Sequence, residues 1–224
     1  MSVVLAEPQT MLKVEKAPLQ ISFEEYLAED YEGGLAEWIE GEVIIYMSAT
    51  ETHQKIILFL STLLHLFVQW FDLGFIRTAP YAMRAKKGGN GREPDLFFVA
   101  KEHRSRLTAK FLDGPADLVI EIVSEESVSR DYEIKFHEYQ AAGIREYWII
   151  DPRPERQGAS FYLLDSTGHY QAVSIVEGIY SSTVLPNFWL KIAWLWHDEP
   201  QPLAALAQIV GQTQFLAVLQ EAQK

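Results

Sequence analysis

The sequence predicts an α/β (α+β) fold, a central mixed sheet flanked by helices, with extra strands and a terminal helix at its C-terminal end. Two runs, 95–99 and 118–123, are apolar on both faces apart from single acids, as strands are when helices cover both sides of a sheet. Two helical patterns, 52–71 and 129–142, alternate with runs of strand length. With 224 residues and 48% hydrophobic content, the chain is long enough for one well-filled core. Residues 1–20 read as an N-terminal tail and 21–224 as a single domain whose core spans about 50–151.

The elements follow in order. Residues 23–28 form a short helix opened by Ser22, with Glu24 and Glu25 placed favourably in its positive first turn. Residues 38–47 read as a strand pair about the turn Glu40-Gly41. The helix at 52–71 is apolar nearly all round, too short to span a bilayer and interrupted by Ser61, Thr62, His65 and Gln69. Apolarity on every side predicts burial on more than one side, so a homodimer is expected and a membrane is not. A strand at 75–84 and the hairpin signal Asn90-Gly91 lead into the strand that begins at Asp95. A strand at 116–124, a helix at 129–142 ending at Gly143, and a strand at 146–151 stopped by Pro152 complete the series. From residue 52 onward the order is helix, three strands, helix, strand.

After residue 151 short strands at 160–164, 169–173 and 178–184 extend the sheet or form a meander, with turns at Ser166-Thr167-Gly168 and Glu177-Gly178. The aromatic run 188–196 reads as core or subunit interface rather than a base-stacking platform, because Lys191 is its only basic residue. Residues 202–220 form an amphipathic helix.

Composition excludes several chemistries. The absence of cysteine removes disulfides, zinc-thiolate sites and thiol nucleophiles, so a metal must be held by oxygen or imidazole. The N-terminus lacks a basic segment followed by an apolar core of signal-peptide length, so a cytoplasmic location is expected. A net charge of −12 argues against coating nucleic acid by electrostatics alone. One segment departs from this balance: residues 84–110 carry eight basic residues against three acids. It reads either as a phosphate-binding surface near a catalytic centre or as a solvated hairpin turn.

Three residues carry the chemistry. Asp95 and Glu121 interrupt runs that are otherwise buried strand, where an ionised carboxylate costs several kcal/mol unless a cation compensates it. Period two sets Asp95 with Phe97 and Val99 on one face, and Asp117 with Val119, Glu121 and Val123 on another. Adjacent strands bring the two acids within reach of one ion, and magnesium suits a site of one or two carboxylates, waters and phosphate oxygen. Lys135 lies early on the following helix and reaches back toward the Glu121 strand. An ordinary exposed pair with Asp131, four residues before it, explains that lysine equally well.

The ordered set Glu93-Pro94-Asp95, Glu121-Ile122-Val123, Lys135 with Tyr139, and Gly143 followed by Glu146-Tyr147-Trp148-Ile149-Ile150-Asp151 resembles the Uma-two family, within the PD-(D/E)xK nuclease superfamily. The resemblance runs from about Phe23 to about Tyr170 and includes 36–42 and His53. It implies a restriction-endonuclease-like core and hydrolysis of DNA phosphodiester bonds with Mg2+ or Mn2+. By the same resemblance Asp95 and Glu121 are metal ligands, the Ile122 carbonyl a third, and Lys135 the catalytic lysine; Glu37 and His53 are second-rank candidates for holding or orienting the metal, although on sequence alone a capping or solvent-exposed place at the helix start explains His53 better. Where the superfamily places its lysine, two residues after the second acid, this chain has Val123. A second reading is a catalytically inactive nuclease fold kept as a dimeric nucleic-acid or protein scaffold.

Overall fold

Caps and glycines set several element boundaries in the computed structural model, which describes residues 20–29, 31, 35–46 and 50–221. The tail expected over 1–20 lies outside the described residues except for Gln20, and so does Met47 at the end of the expected strand pair. In chain order the elements are α1 (Phe23–Tyr26), β1 (Leu35–Ile39), β2 (Glu42–Tyr46), α2 (Glu51–Trp70), β3 (Gly74–Thr78), β4 (Ala82–Arg84), β5 (Leu96–Ala100), β6 (Phe111–Asp113) and β7 (Leu118–Ile122). They continue with α3 (Lys135–Ala142), β8 (Glu146–Asp151), β9 (Gly158–Leu164), β10 (Tyr170–Ala172), β11 (Ile179–Ser181), β12 (Trp189–Lys191), α4 (Pro202–Val210) and α5 (Gln212–Glu221).

Local chemistry explains the starts and stops. Ser22 accepts from Glu25 N while the Glu25 carboxylate accepts from Ser22 N, a reciprocal cap on α1. Glu40 and Gly41, at φ 50° and 95°, make the tight turn between β1 and β2. Thr50 caps α2 by accepting from His53 N at 3.2 Å, and Gly143, at φ 81°, closes α3 in the left-handed conformation.

A six-stranded sheet in the order β10-β9-β8-β7-β5-β3 forms the centre, with β7 and β8 parallel and every other pair antiparallel. Its two faces fill separate apolar clusters, as the period-two reading requires. Leu96, Phe98, Leu118, Ile120 and Ile122 pack with α2, whereas Phe97, Val99, Val119 and Val123 pack with Tyr139 and Tyr147. Part of the cover over α2 comes from the same chain, while Leu58 stays exposed. Leu206 of α4 and Phe188 lie in its cluster, the Phe188 ring 5.0 Å from that of Phe67. The aromatic run 188–196 thus contributes to the core, with Phe188, Leu190 and Leu195 buried.

Three expected elements are divided. The strand at 75–84 breaks at Pro80, which has no N–H to offer a ladder, and β4 leaves the main sheet to pair in parallel with β6. The helix at 129–142 begins as a π-helical turn over Arg130–Ile134 before becoming α3. The terminal helix is split into α4 and α5 at Gly211, whose φ of 91° and ψ of 132° are not helical. No helix among the described residues is long and apolar enough to cross a membrane.

Gly74 opens β3 against the end of β5, where a Cβ would collide with the Val99 carbonyl oxygen and lie 2.9 Å from the Phe98 ring. Gly74→Ala is therefore expected to push β3 from β5 and lower stability by about 2 kcal/mol, the scale of an overpacked site. Chemical denaturation checks this, and an unchanged midpoint would contradict the close approach.

Candidate active site

The register of the central strands creates the site. Leu96 pairs with Ile120 and Phe97 with Val119, so one further step sets Asp95, just before β5, across from Glu121 in β7. Val123 N donates to Ile150 O on the β8 side. Alternation therefore turns the peptide groups of Ile122 toward β5, where its N–H donates to Asp95 Oδ2 at 2.7 Å. The Ile122 carbonyl faces the same edge. His53, in the first turn of α2, places Nε2 3.2 Å from the same Asp95 oxygen.

Lys135 is the first residue of α3 and is 2% exposed. Its ammonium lies 3.0 Å from Glu121 Oε1, 3.2 Å from Glu37 Oε1 and 3.5 Å from Asp131 Oδ1. The lysine thus reaches Glu121 and also lies beside Asp131. The second pair is not an exposed helix pair, because Asp131 is only 2% exposed. The π-helical turn, a feature frequent at functional sites, carries Asp131 into the same cluster. Sequence reasoning missed Asp131 as a site residue; its spacing from Lys135 was the only signal.

Further partners hold the arrangement. Tyr139 OH donates to Glu121 Oε1 at 2.7 Å. Glu37, from β1, is fully buried, with Oε1 on Lys135 and Oε2 accepting from Arg92 Nη1 at 2.9 Å. Arg92 also forks onto Glu138 of α3 through Nε at 2.7 Å and Nη2 at 2.6 Å. Glu37 thus braces the ammonium and ties the β1–β2 hairpin to the site.

Electrostatics follow from burial and charge. Burial pushes the Glu121 carboxyl well above the usual carboxylate range, Lys135 opposes this, and Asp131, Asp95 and Glu37 reinforce it. Burial alone would depress the Lys135 ammonium, but Glu121, Glu37, Asp131 and Asp95 outweigh it and hold the group above its ordinary value. Burial also works to raise Glu37, yet Lys135 and Arg92 bring it down to about 2. Desolvation lowers His53, and its hydrogen bond to Asp95 more than reverses this.

The site opens into a cleft of about 740 Å³ bordered by α2, the Thr78–Pro80 turn and the loop at 124–127. The segment 84–110 borders it through its acids Glu93 and Asp95, whereas none of its lysines or arginines lines the cleft. Arg92 is buried on Glu37 and Glu138, Arg84 lies over Phe23 and Phe111, and Lys110 donates to Leu27 O. The phosphate-surface reading of that segment therefore does not apply to the cleft, whose lining holds none of its cations.

The donors have the chemistry of a hard-cation site. Asp95, Glu121 and the Ile122 carbonyl offer oxygen, and Asp131 Oδ1 is buried with no hydrogen-bond partner. Among the described residues no group of three or more His, Asp or Glu side chains forms a ready metal cage. An ion with a largely aqueous shell, such as Mg2+, fits such a partial donor set.

A family model named Uma2, described as "Putative restriction endonuclease", matches residues 23–193. The chain belongs to the Uma2 family. A solved structure described as a putative nuclease belonging to DUF820, from Anabaena variabilis, is 15% identical. It superposes with a TM-score of 0.62 over 79% of this chain and 97% of that one, and so shares the fold. No curated protein matches the chain. The restriction-endonuclease-like core thus rests on both comparisons, and in this Uma2 chain it carries Asp95 just before β5, Glu121 on β7 and Lys135 on α3.

Proposed function

We propose that this Uma2 chain is a metal-dependent endonuclease that hydrolyses DNA phosphodiester bonds. Family membership and fold support a nuclease. The observation that carries the finer reading is the convergence of Lys135 on Glu121 at 3.0 Å beside Asp95, at the edge of an open cleft. Asp95, Glu121 and the Ile122 carbonyl would hold Mg2+ or Mn2+, with Asp131 as an additional oxygen. When bound, such an ion polarises the phosphate and makes its water a stronger acid.

The chain's own groups supply the remainder. Ile122 N and His53 Nε2 orient the Asp95 carboxylate, while Tyr139 and Lys135 orient Glu121. The charged ammonium donates to a non-bridging phosphoryl oxygen and neutralises charge that grows in the transition state. Glu37 and Arg92 keep that ammonium in place.

The inactive-scaffold reading draws on the cleft's charge. Glu93, Glu125 and Glu126 join the site acids in lining it, against Lys135 and Arg130. Incubation of supercoiled plasmid with the protein and Mg2+ or Mn2+ decides between the readings. Nicking or linearisation is expected for the native chain and none for Asp95→Ala; no cleavage, or equal cleavage by both, overturns the nuclease. In calorimetry, manganese binding should weaken in Glu121→Gln, a dependence that a scaffold does not require. The proposed enzyme is a homodimer, so light scattering should give twice the mass of one chain, and a single-chain mass overturns that part.

A further inference from the structure

Arg77 and Arg104 come from different elements and converge on one aromatic ring. Arg77, in β3, places its guanidinium carbon 6.0 Å from the Phe75 ring centroid. Arg104, in the 3-10 turn Lys101–Arg106 after β5, lies 5.6 Å from the same centroid. Both arginines are exposed and Phe75 is half-buried. Arg77 donates to the Ile76 carbonyl at 2.8 Å, and neither arginine has a carboxylate partner among the described residues. The neighbouring Lys101, by contrast, is paired with Asp72.

Two like charges gathered on one ring without an acid work against stability. An arginine on an edge strand is an ordinary guard against strand pairing, which explains Arg77 alone. It does not explain why Arg104 reaches the same ring from another element. Aromatic faces flanked by arginine are a common surface for nucleic-acid backbones and bases.

The place of this pair matters. β3 is the edge of the main sheet, and Arg77 pairs with Phe97, two residues from Asp95. From Phe75 the strand runs about 10 Å, at about 3.3 Å per residue, to Thr78. Thr78, Ala79 and Pro80 line the cleft, and Ala79 N donates to the Asp95 carbonyl at 3.3 Å.

We propose that Arg77, Arg104 and Phe75 form a phosphate-backbone contact that guides DNA along the β3 edge into the cleft. The acidic cleft holds the scissile group, while the attraction for the polyanion lies outside it, on cations that the basic-segment reading only partly foresaw. This inference rests on the nuclease reading for its direction toward the cleft, but the surface can be tested without cleavage.

The test is fluorescence anisotropy of a labelled 25-base-pair DNA duplex titrated with native protein, Arg77→Ala/Arg104→Ala and Lys86→Ala/Lys87→Ala at several salt concentrations. Each phosphate contact contributes about 0.9 to the slope of log affinity against log salt. The arginine variant should therefore bind at least about tenfold more weakly, with a slope shallower by about 1.8, while the lysine variant keeps the native slope. Equal affinity and slope in the arginine variant, an equal loss in the lysine variant, or no binding by native protein overturns the proposal. Binding that depends on the arginines without plasmid cleavage keeps this surface and sinks the nuclease; cleavage with binding indifferent to them does the reverse.

Discussion

Lys135→Met is expected to abolish cleavage and destabilise the folded chain by about 3–5 kcal/mol, the cost of leaving a buried charge cluster without its partner. The ammonium lies within 3.5 Å of Glu37, Glu121 and Asp131, each no more than 2% exposed. Methionine fills much of the same volume, so a cavity contributes little and the loss reports charge. Part of the cost is relieved by protonation of Glu121, which burial already favours. Lys135→Met/Glu121→Gln should therefore recover stability relative to the single variant while remaining inactive. Lys135→Arg retains charge but presents a larger planar group in a buried position, and should recover stability only in part. Urea denaturation with an activity assay on the same preparations gives both quantities. Native-like stability in Lys135→Met would mean that the carboxyls are already neutral, and the proposed role of the ammonium would fail with it.

The same cluster shows what a linear sequence discloses. Asp95 and Glu121 were legible because an acid inside a two-sided apolar strand conflicts with its surroundings, and period two set each on the correct face. Their adjacency followed from strand order, since β5 and β7 are neighbours in the sheet. The caps at Ser22 and Gly143 were legible because they act within a few residues. The brace from Arg92 through Glu37 to Lys135 was not, because its members are 55 and 98 residues apart in sequence, as Glu37–Arg92 and Glu37–Lys135, and nothing local selects them. Asp131 was hidden for the opposite reason: its spacing from Lys135 matches an exposed helix pair, and only a π-helical turn and burial distinguish the two. The parallel pairing of β4 with β6 likewise depends on contacts between short segments whose local pattern is weak. Arg77 and Arg104 stood in separate elements, and only the fold brings them to Phe75.

Glu146 should be the second most sensitive position tested, although it lies away from the cleft. It is fully buried at the start of β8 and accepts hydrogen bonds on both oxygens. Oε1 takes Trp148 Nε1 and Tyr180 OH, each at 2.7 Å. Oε2 takes Ser182 Oγ at 3.0 Å, Thr183 N at 3.1 Å and Val184 N at 3.0 Å. The carboxylate thereby fastens the turn after β11 to the central sheet, and Tyr180 and Phe188 pack over Trp148 beside it. Glu146→Ala leaves these donors buried without an acceptor, at about 1–3 kcal/mol for an orphaned group and with strong non-additivity within one network. A total loss of about 3–5 kcal/mol is expected. Glu146→Gln is the sharper test, because its volume is unchanged. Whichever way the amide is turned, its NH2 faces groups that can only donate or already donate, so glutamine should lose most of what alanine loses. A glutamine variant within about 1 kcal/mol of native stability would show that shape rather than acceptor chemistry fastens the segment. Tryptophan fluorescence through a urea titration reads this directly, because Trp148 is both a donor to Glu146 and a member of the packed ring cluster. Glu146 pairs in register with Leu118, whereas Glu121 pairs with Ile149 three residues further along the strand, about 10 Å away at the usual rise. Cleavage measured well below the lowered unfolding transition should accordingly persist in both Glu146 variants, separating the fastening of the C-terminal segment from the chemistry of the cleft.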